Sequence, residues 1–345
     1  MIANEYVLEL QRLQHIGPVD IPHIEGVNMI VKDRLDAHTY DPRFLAGLKK
    51  TNAAGLKEHH ADMRTFDTGT VARAYLDDIN VQPFIANEMG RKVKFFKIYR
   101  DQVKSSDNAI IYVHGGAYYN EGSTGFMTIL KMLAKIYDGI IYCVNYHQCP
   151  ENPYPDSILD VLAVTSLVNK RRPHLTLMGD SAGACIGLGA SQMLSQLGIA
   201  NFENHILFYP TVVQGSDLNG PLWDDQRIAI NPNQRKFLRQ DYLRHKQLDR
   251  IMTHLYLNGN DIDLTSPIIS PLYADPTTFK NLKILVGEFD PLRLQAESFA
   301  EEVGTAGEKV DFVRYGGMGH SFLNYLGQCA ASEDALHEAV RGINL

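Results

Sequence analysis

The sequence predicts an α/β protein: a mostly parallel sheet with helices on both faces. Three observations carry this. Short apolar runs at residues 109–113, 139–144, 205–209 and 282–286 read as strands buried on both faces. Helix-length segments at 126–137, 157–169 and 185–197 alternate with them. Between the run 174–178 and the third helix stands Gly179-Asp180-Ser181-Ala182-Gly183, a Gly-x-Ser-x-Gly turn from strand to helix.

Bulk properties set the frame. The 345 residues suit one large α/β domain, 1–345, with insertions. The net charge of −7 and the lack of a dense basic stripe argue against nucleic acid as a partner. The basic triplet Lys170-Arg171-Arg172 ends a predicted helix, where cations suit the dipole. Met1 to Glu5 has neither the basic start nor the apolar core of a signal peptide, and no apolar run is long enough for a membrane span. Cys143, Cys149, Cys185 and Cys329 show no CxxC spacing and are read as reduced thiols of a cytoplasmic protein.

Taken in order, residues 1–60 read as helical. Leu8, Leu10, Leu13 and Ile16 suggest one helical face, and Phe44, Leu45, Leu48 and Leu56 suggest another over 42–57. No strand signal is visible there. His59 and His60 lack further ligand spacing and are expected to be solvated. Residues 92–99 alternate apolar and polar, as a half-exposed strand would; 309–315 is the last strand candidate. Within 215–257 the strand–helix alternation stops, and Trp223, Phe237, Tyr242 and Tyr256 stand in a polar insertion. Asn231-Pro232-Asn233 reads as the turn before a helix starting at Gln234. Residues 1–60 and 215–257 together are expected to form a helical cap. The carboxylates near Asn258-Gly259 lack the glycine and glutamate of a calcium loop and read as a polar turn.

A serine nucleophile needs a base, a carboxylate to orient the base, and oxyanion donors. In open α/β sheets such groups gather at the carboxyl ends of strands. After the run ending at Val113 stands His114-Gly115-Gly116-Ala117-Tyr118, where backbone N–H groups can face outward unobstructed; each such donor is worth roughly 3 kcal/mol. After Val286 come Glu288 and Asp290, of which Asp290, beside Pro291, is the favoured orienter. After Tyr315 comes Gly316-Gly317-Met318-Gly319-His320, a histidine in a glycine-rich loop. The chain order Ser181, Asp290, His320 is that of α/β-hydrolases.

These stretches, with Asp290-Pro291-Leu292-Arg293, the segment from Asn145-Tyr146 to Glu151, and Ser270-Pro271-Leu272, resemble the hormone-sensitive-lipase-like carboxylesterases of the α/β-hydrolase superfamily. The resemblance covers roughly 92–343. It implies an eight-stranded, mostly parallel sheet with a helical cap, Ser181 as nucleophile, Asp290 as orienter and His320 as base. It also implies oxyanion donors from Gly115, Gly116 and Ala182, and no metal or organic cofactor. Tyr118 and Tyr119 beside the glycines, and Phe322 after His320, are candidate substrate contacts. Two positions depart from the family: Ala117 and Ala184 stand where glycine is usual.

The expected function is hydrolysis of short-chain acyl esters, with a small-molecule ester as partner. An amidase or arylformamidase shares the same triad. A non-catalytic small-molecule receptor shares the fold, but the receptors that resemble this family have lost the histidine found here as His320. The sequence leaves open whether the chain forms a homo-oligomer.

Overall fold

Among the residues described by a computed structural model (4–18, 26–34, 36–54, 76–120, 126–215, 217–259 and 261–343), nine strands form one sheet. In chain order they are β1 (Val27–Lys32), β2 (Asn80–Glu88), β3 (Arg91–Tyr99), β4 (Asn108–Val113), β5 (Ile140–Asn145), β6 (His174–Asp180), β7 (Asn204–Phe208), β8 (Leu282–Gly287) and β9 (Val310–Tyr315). The helices are α1 (Asn4–Gln14), α2 (Pro42–Ala54), α3 (Met127–Ile136), α4 (Asp156–Asn169), α5 (Ala182–Gln196), α6 (Arg235–Leu257), α7 (Arg293–Thr305) and α8 (Ala330–Val340). The spatial order is β1-β9-β8-β7-β6-β4-β5-β3-β2. Every pairing is parallel except β2 with β3 and β3 with β5.

The central strands follow from their composition. From Ala109 to Val113 every residue of β4 is fully buried, as expected where helices cover both faces. A strand of such residues cannot sit at an edge, and β4 lies between β5 and β6. Gly183, near the start of α5, lets that helix lie against the end of β4: a Cβ there would stand 2.2 Å from the Val113 carbonyl oxygen.

Two strands were not expected. One is β1, which pairs in parallel with β9 and makes the sheet nine-stranded rather than eight. Its Lys32 is buried, with Nζ 2.8 Å from Glu338, 3.4 Å from Asp334 and donating to the Leu13 carbonyl at 2.6 Å. A buried ammonium needs such partners, and these tie α1, β1 and α8 together. The other is β2, joined to β3 by Met89-Gly90, both in left-handed backbone (φ 54° and 72°), as a two-residue hairpin turn requires.

The N-terminal segment therefore divides. Helix α1 packs on α8. It buries Tyr6 and Leu13, while Leu8, expected on the inner face, is 64 % exposed. Helix α2 packs on α6 and buries Phe44 and Leu48. Leu56, His59 and His60 lie outside the described residues. The four cysteines are free and buried. Among the described residues no helix is long and apolar enough to cross a membrane.

Candidate active site

Four loops at the carboxyl ends of β4, β6, β8 and β9 converge. Ser181 follows β6 with φ 51° and ψ −124°, a conformation costing on the order of 1–3 kcal/mol for a residue with a Cβ. The surroundings hold it there. Its N–H donates to the Phe208 carbonyl at 3.0 Å, and its own carbonyl accepts from Ala184 N–H at 3.1 Å and Thr211 N–H at 3.2 Å. The turn leaves Oγ 3.0 Å from His320 Nε2.

His320 Nδ1 lies 3.0 and 3.1 Å from the two carboxylate oxygens of Asp290. Asp290 is fully buried, and Leu292 N–H donates to its Oδ1 at 2.8 Å. The ring of His320 is packed edge-on by Tyr209 (centroids 5.1 Å apart) and by His245 of α6 (5.0 Å). The competing carboxylate, Glu288, is turned away: it accepts from Gly317 N–H at 3.0 Å and lies 2.7 Å from His38 Nδ1.

The glycine loop after β4 corrects one expectation. Gly115 N–H is not available to an oxyanion, because it donates to Asp180 Oδ1 at 2.8 Å. Asp180 also accepts from Tyr112 Oη at 2.9 Å, and burial pushes its carboxyl up to about 6 against those two donors. The N–H groups of Gly116, Ala117 and Ala182, by contrast, donate to no partner among the described residues. Gly116 (φ 121°), Ala117 (φ 51°) and Tyr118 (φ 67°) all take positive φ, which turns this stretch outward. His114 is core: it stacks between Phe126 and Tyr146, and burial pushes its imidazole down to about 4. The 145–155 segment supports the loop, with Cys149 N–H donating to the Tyr118 carbonyl at 3.1 Å.

Two cavities open on Ser181. The larger, about 350 Å³, is lined in part by Phe44, Leu48 and Thr51 of α2 and by Asp241 and Arg244 of α6. The smaller, about 50 Å³, runs past Ala182 to Trp223, Asp249 and Met252. Tyr119 lines the larger and Tyr118 the smaller. Phe322 lines neither cavity: it is fully buried, packed edge-on against Tyr209 at 5.5 Å and tilted against Tyr315 at 5.3 Å. It braces Tyr209, which in turn packs on His320.

Sequence reasoning missed the inner face of α6. Asp241, His245 and Asp249 follow one another at four-residue spacing, on the side that carries Leu238, Tyr242 and Met252 inward. Three ionisable residues on the buried stripe of a helix were the available signal. Asp241 is buried against His245 and Arg244 (2.7 Å). Burial alone would push its carboxyl up, but these two partners hold it well below the usual range. Burial pushes the His245 imidazole down. Among the described residues no group of His, Cys, Asp or Glu is arranged to hold a metal ion.

A parallel sheet whose strand-end loops bring a strained serine, a histidine and a buried carboxylate into one hydrogen-bonded chain defines an α/β-hydrolase, a hydrolytic enzyme. The comparisons agree: the family model described as alpha/beta hydrolase fold matches residues 110–324, and the chain belongs to that family. It is 25% identical over 233 residues to carboxylesterase NlhH of Mycobacterium tuberculosis, covering 65% of this chain and 69% of that protein. It is 25% identical over 259 residues to an acetyl esterase of Salmonella choleraesuis, covering 71% and 74%. Among solved structures, a hormone-sensitive lipase from a metagenome library superposes with TM-score 0.72 at 23% identity, covering 89% of this chain and 100% of that one. A hyperthermophilic esterase from the archaeon Pyrobaculum calidifontis gives TM-score 0.72 at 19% identity, covering 89% and 98%.

Proposed function

We propose that the protein is a carboxylester hydrolase for short acyl chains, with Ser181, His320 and Asp290 as its triad. The observation that carries this is the continuous chain Oγ–Nε2 (3.0 Å), Nδ1–carboxylate (3.0 Å), ending at the mouth of both cavities. Ser181 Oγ attacks the ester carbonyl and passes its proton to His320 Nε2. Asp290 holds the imidazole in the tautomer that can accept it and stabilises the cation that forms. The carbonyl oxygen, now an oxyanion, takes the N–H groups of Gly116, Ala117 and Ala182. His320 then protonates the leaving alkoxide, and water attacks the acyl-enzyme by the same relay in reverse.

Helices α2 and α6, within the expected cap segments 1–60 and 215–257, form the roof of the larger cavity in this reading. The alcohol leaves through that side, which reaches exposed Thr51, and the acyl chain occupies the smaller pocket, whose lining residues are all buried or half-buried. Four free buried thiols fit a cytoplasmic enzyme.

The test is a panel of 4-nitrophenyl esters from acetyl to dodecanoyl, run beside Ser181→Ala. Each buried CH₂ adds roughly 0.8 kcal/mol only while it fits, so kcat/KM should peak between acetyl and hexanoyl and then fall. Ser181→Ala should lose activity by a factor on the order of 10⁶. Activity that climbs steadily with chain length, or a serine variant retaining a tenth of kcat, ends this reading.

A further inference from the structure

The smaller pocket contains a group that simple alkyl esters do not need. Asp249 lines it, on the same face of α6 as His245, with a carboxyl that receives a backbone hydrogen bond from Gly215. Its Oδ2 is shielded from solvent and has no partner among the described residues. The other polar side chains there are largely committed. Tyr118 Oη accepts from Gln214 Nε2, whose amide oxygen accepts from Thr253 at 3.4 Å. Ser181 and His320 hold each other, and His245 is held by Asp241. Burial has pushed the Asp249 carboxyl up to about 7.

A buried carboxyl oxygen without a partner costs stability in either protonation state, and filling the pocket with an alkyl chain would leave it unpaired. A substrate that brings its own donor removes that cost. The volume, about 50 Å³, holds roughly three or four water-sized atoms, enough for a short chain and one terminal group.

We propose that Asp249 is a specificity-determining residue, and that the pocket beside Ser181 is built for short acyl groups ending in a hydrogen-bond donor, a hydroxyl or an ammonium. The proposal rests on the esterase reading and on the assignment of this pocket to the acyl chain. It narrows the substrate class from short acyl esters to short hydroxyacyl or aminoacyl esters.

Three esters of one alcohol test it: the 4-nitrophenyl esters of butanoate, 3-hydroxypropanoate and 3-aminopropanoate, whose acyl groups share the same number of heavy atoms. For the wild-type protein, kcat/KM for at least one donor-bearing ester, corrected for its spontaneous hydrolysis, should exceed that for butanoate by 10- to 100-fold. Which of the two leads distinguishes a hydroxyl from an ammonium ligand. In Asp249→Leu that ratio should fall to one or below. Asp249→Ala removes both carboxyl oxygens without adding bulk, so it should bring the ratio to one or below for a hydroxyl and for an ammonium alike where the leucine variant does not fold. Butanoate turning over fastest in the wild type, or ratios that neither foldable variant changes, overturns the proposal and leaves the esterase reading intact. No turnover of any of the three esters overturns both.

Discussion

Replacing Asp290 by asparagine exchanges one oxygen for one nitrogen at a carboxyl that solvent does not reach. The surroundings decide which way the amide turns. Leu292 N–H donates to Oδ1 at 2.8 Å, so that position must keep an acceptor. The NH₂ group then takes the Oδ2 position, 3.0 Å from His320 Nδ1, where it can only donate. With Oδ1, 3.1 Å from Nδ1, shared with Leu292 N–H, the donating amide favours the tautomer that accepts at Nδ1 and carries its proton on Nε2, which removes the acceptor facing Ser181 Oγ at 3.0 Å. Geometry survives and the tautomer is wrong. In serine proteases the same exchange at the orienting aspartate costs about 10⁴ in kcat, or roughly 5 kcal/mol at about 1.36 kcal/mol per decade. The assay is kcat for 4-nitrophenyl butyrate with a melting curve on the same sample, beside Glu288→Gln. Glu288 bonds Gly317 N–H and His38, so its amide should lose less than tenfold in kcat. An Asp290→Asn variant retaining more than a tenth of wild-type kcat, or a more damaging Glu288→Gln, refutes the reasoning.

Three further outcomes follow from local geometry. Ala117→Gly should stabilise the protein by about 1 kcal/mol, because φ 51° strains any residue with a Cβ; an unchanged or lower denaturation midpoint counts against it. Gly183→Ala should destabilise by about 3 kcal/mol or prevent folding, since its Cβ would meet the Val113 and His114 carbonyl oxygens at 2.2 and 2.3 Å; a melting temperature within a degree of wild type would refute this. Asp180→Asn bears on pH. Its folded carboxyl is raised to about 6, so the carboxyl favours folding below its unfolded value of about 4 and loses that contribution as pH rises through 6. Asparagine does not titrate and can keep both donors on Oδ1. Urea titrations should therefore show the variant gaining about 2 kcal/mol on wild type between pH 4 and pH 7, and a pH-independent difference would sink the linkage.

What the sequence revealed and what it hid have physical causes. Strands β4, β5 and β8 announce themselves because burial on both faces demands unbroken apolar runs. Strand β1 does not, because Lys32 reads as a surface residue until Asp334 and Glu338 arrive from the far end of the chain. Strand β2 is an edge strand with Pro83 and four consecutive exposed residues, so neither alternation nor apolar content marks it. Ser181, Asp290 and His320 were legible because each sits just past a strand end. Two adjacent glycines cannot say which N–H is already spent, and only the fold shows that Asp180 takes that of Gly115. Phe322 was misjudged for the opposite reason: adjacency to His320 in sequence put it behind the imidazole rather than in front of it.

The pairing of β1 with β9 has a consequence in time. The edge of the sheet joins residues 283 positions apart, Asn28 and Asp311, so the first strand made waits for the last before it can dock. The serine elbow faces a shorter wait of the same kind, because His320 lies 139 residues behind Ser181. At roughly 5–20 residues per second on the ribosome, that gap lasts about 7 to 28 seconds. On the proposed triad, the nascent chain carries the nucleophile without its base throughout that interval. On that triad, reactivity toward esters belongs to the completed sheet, since the base follows the last strand.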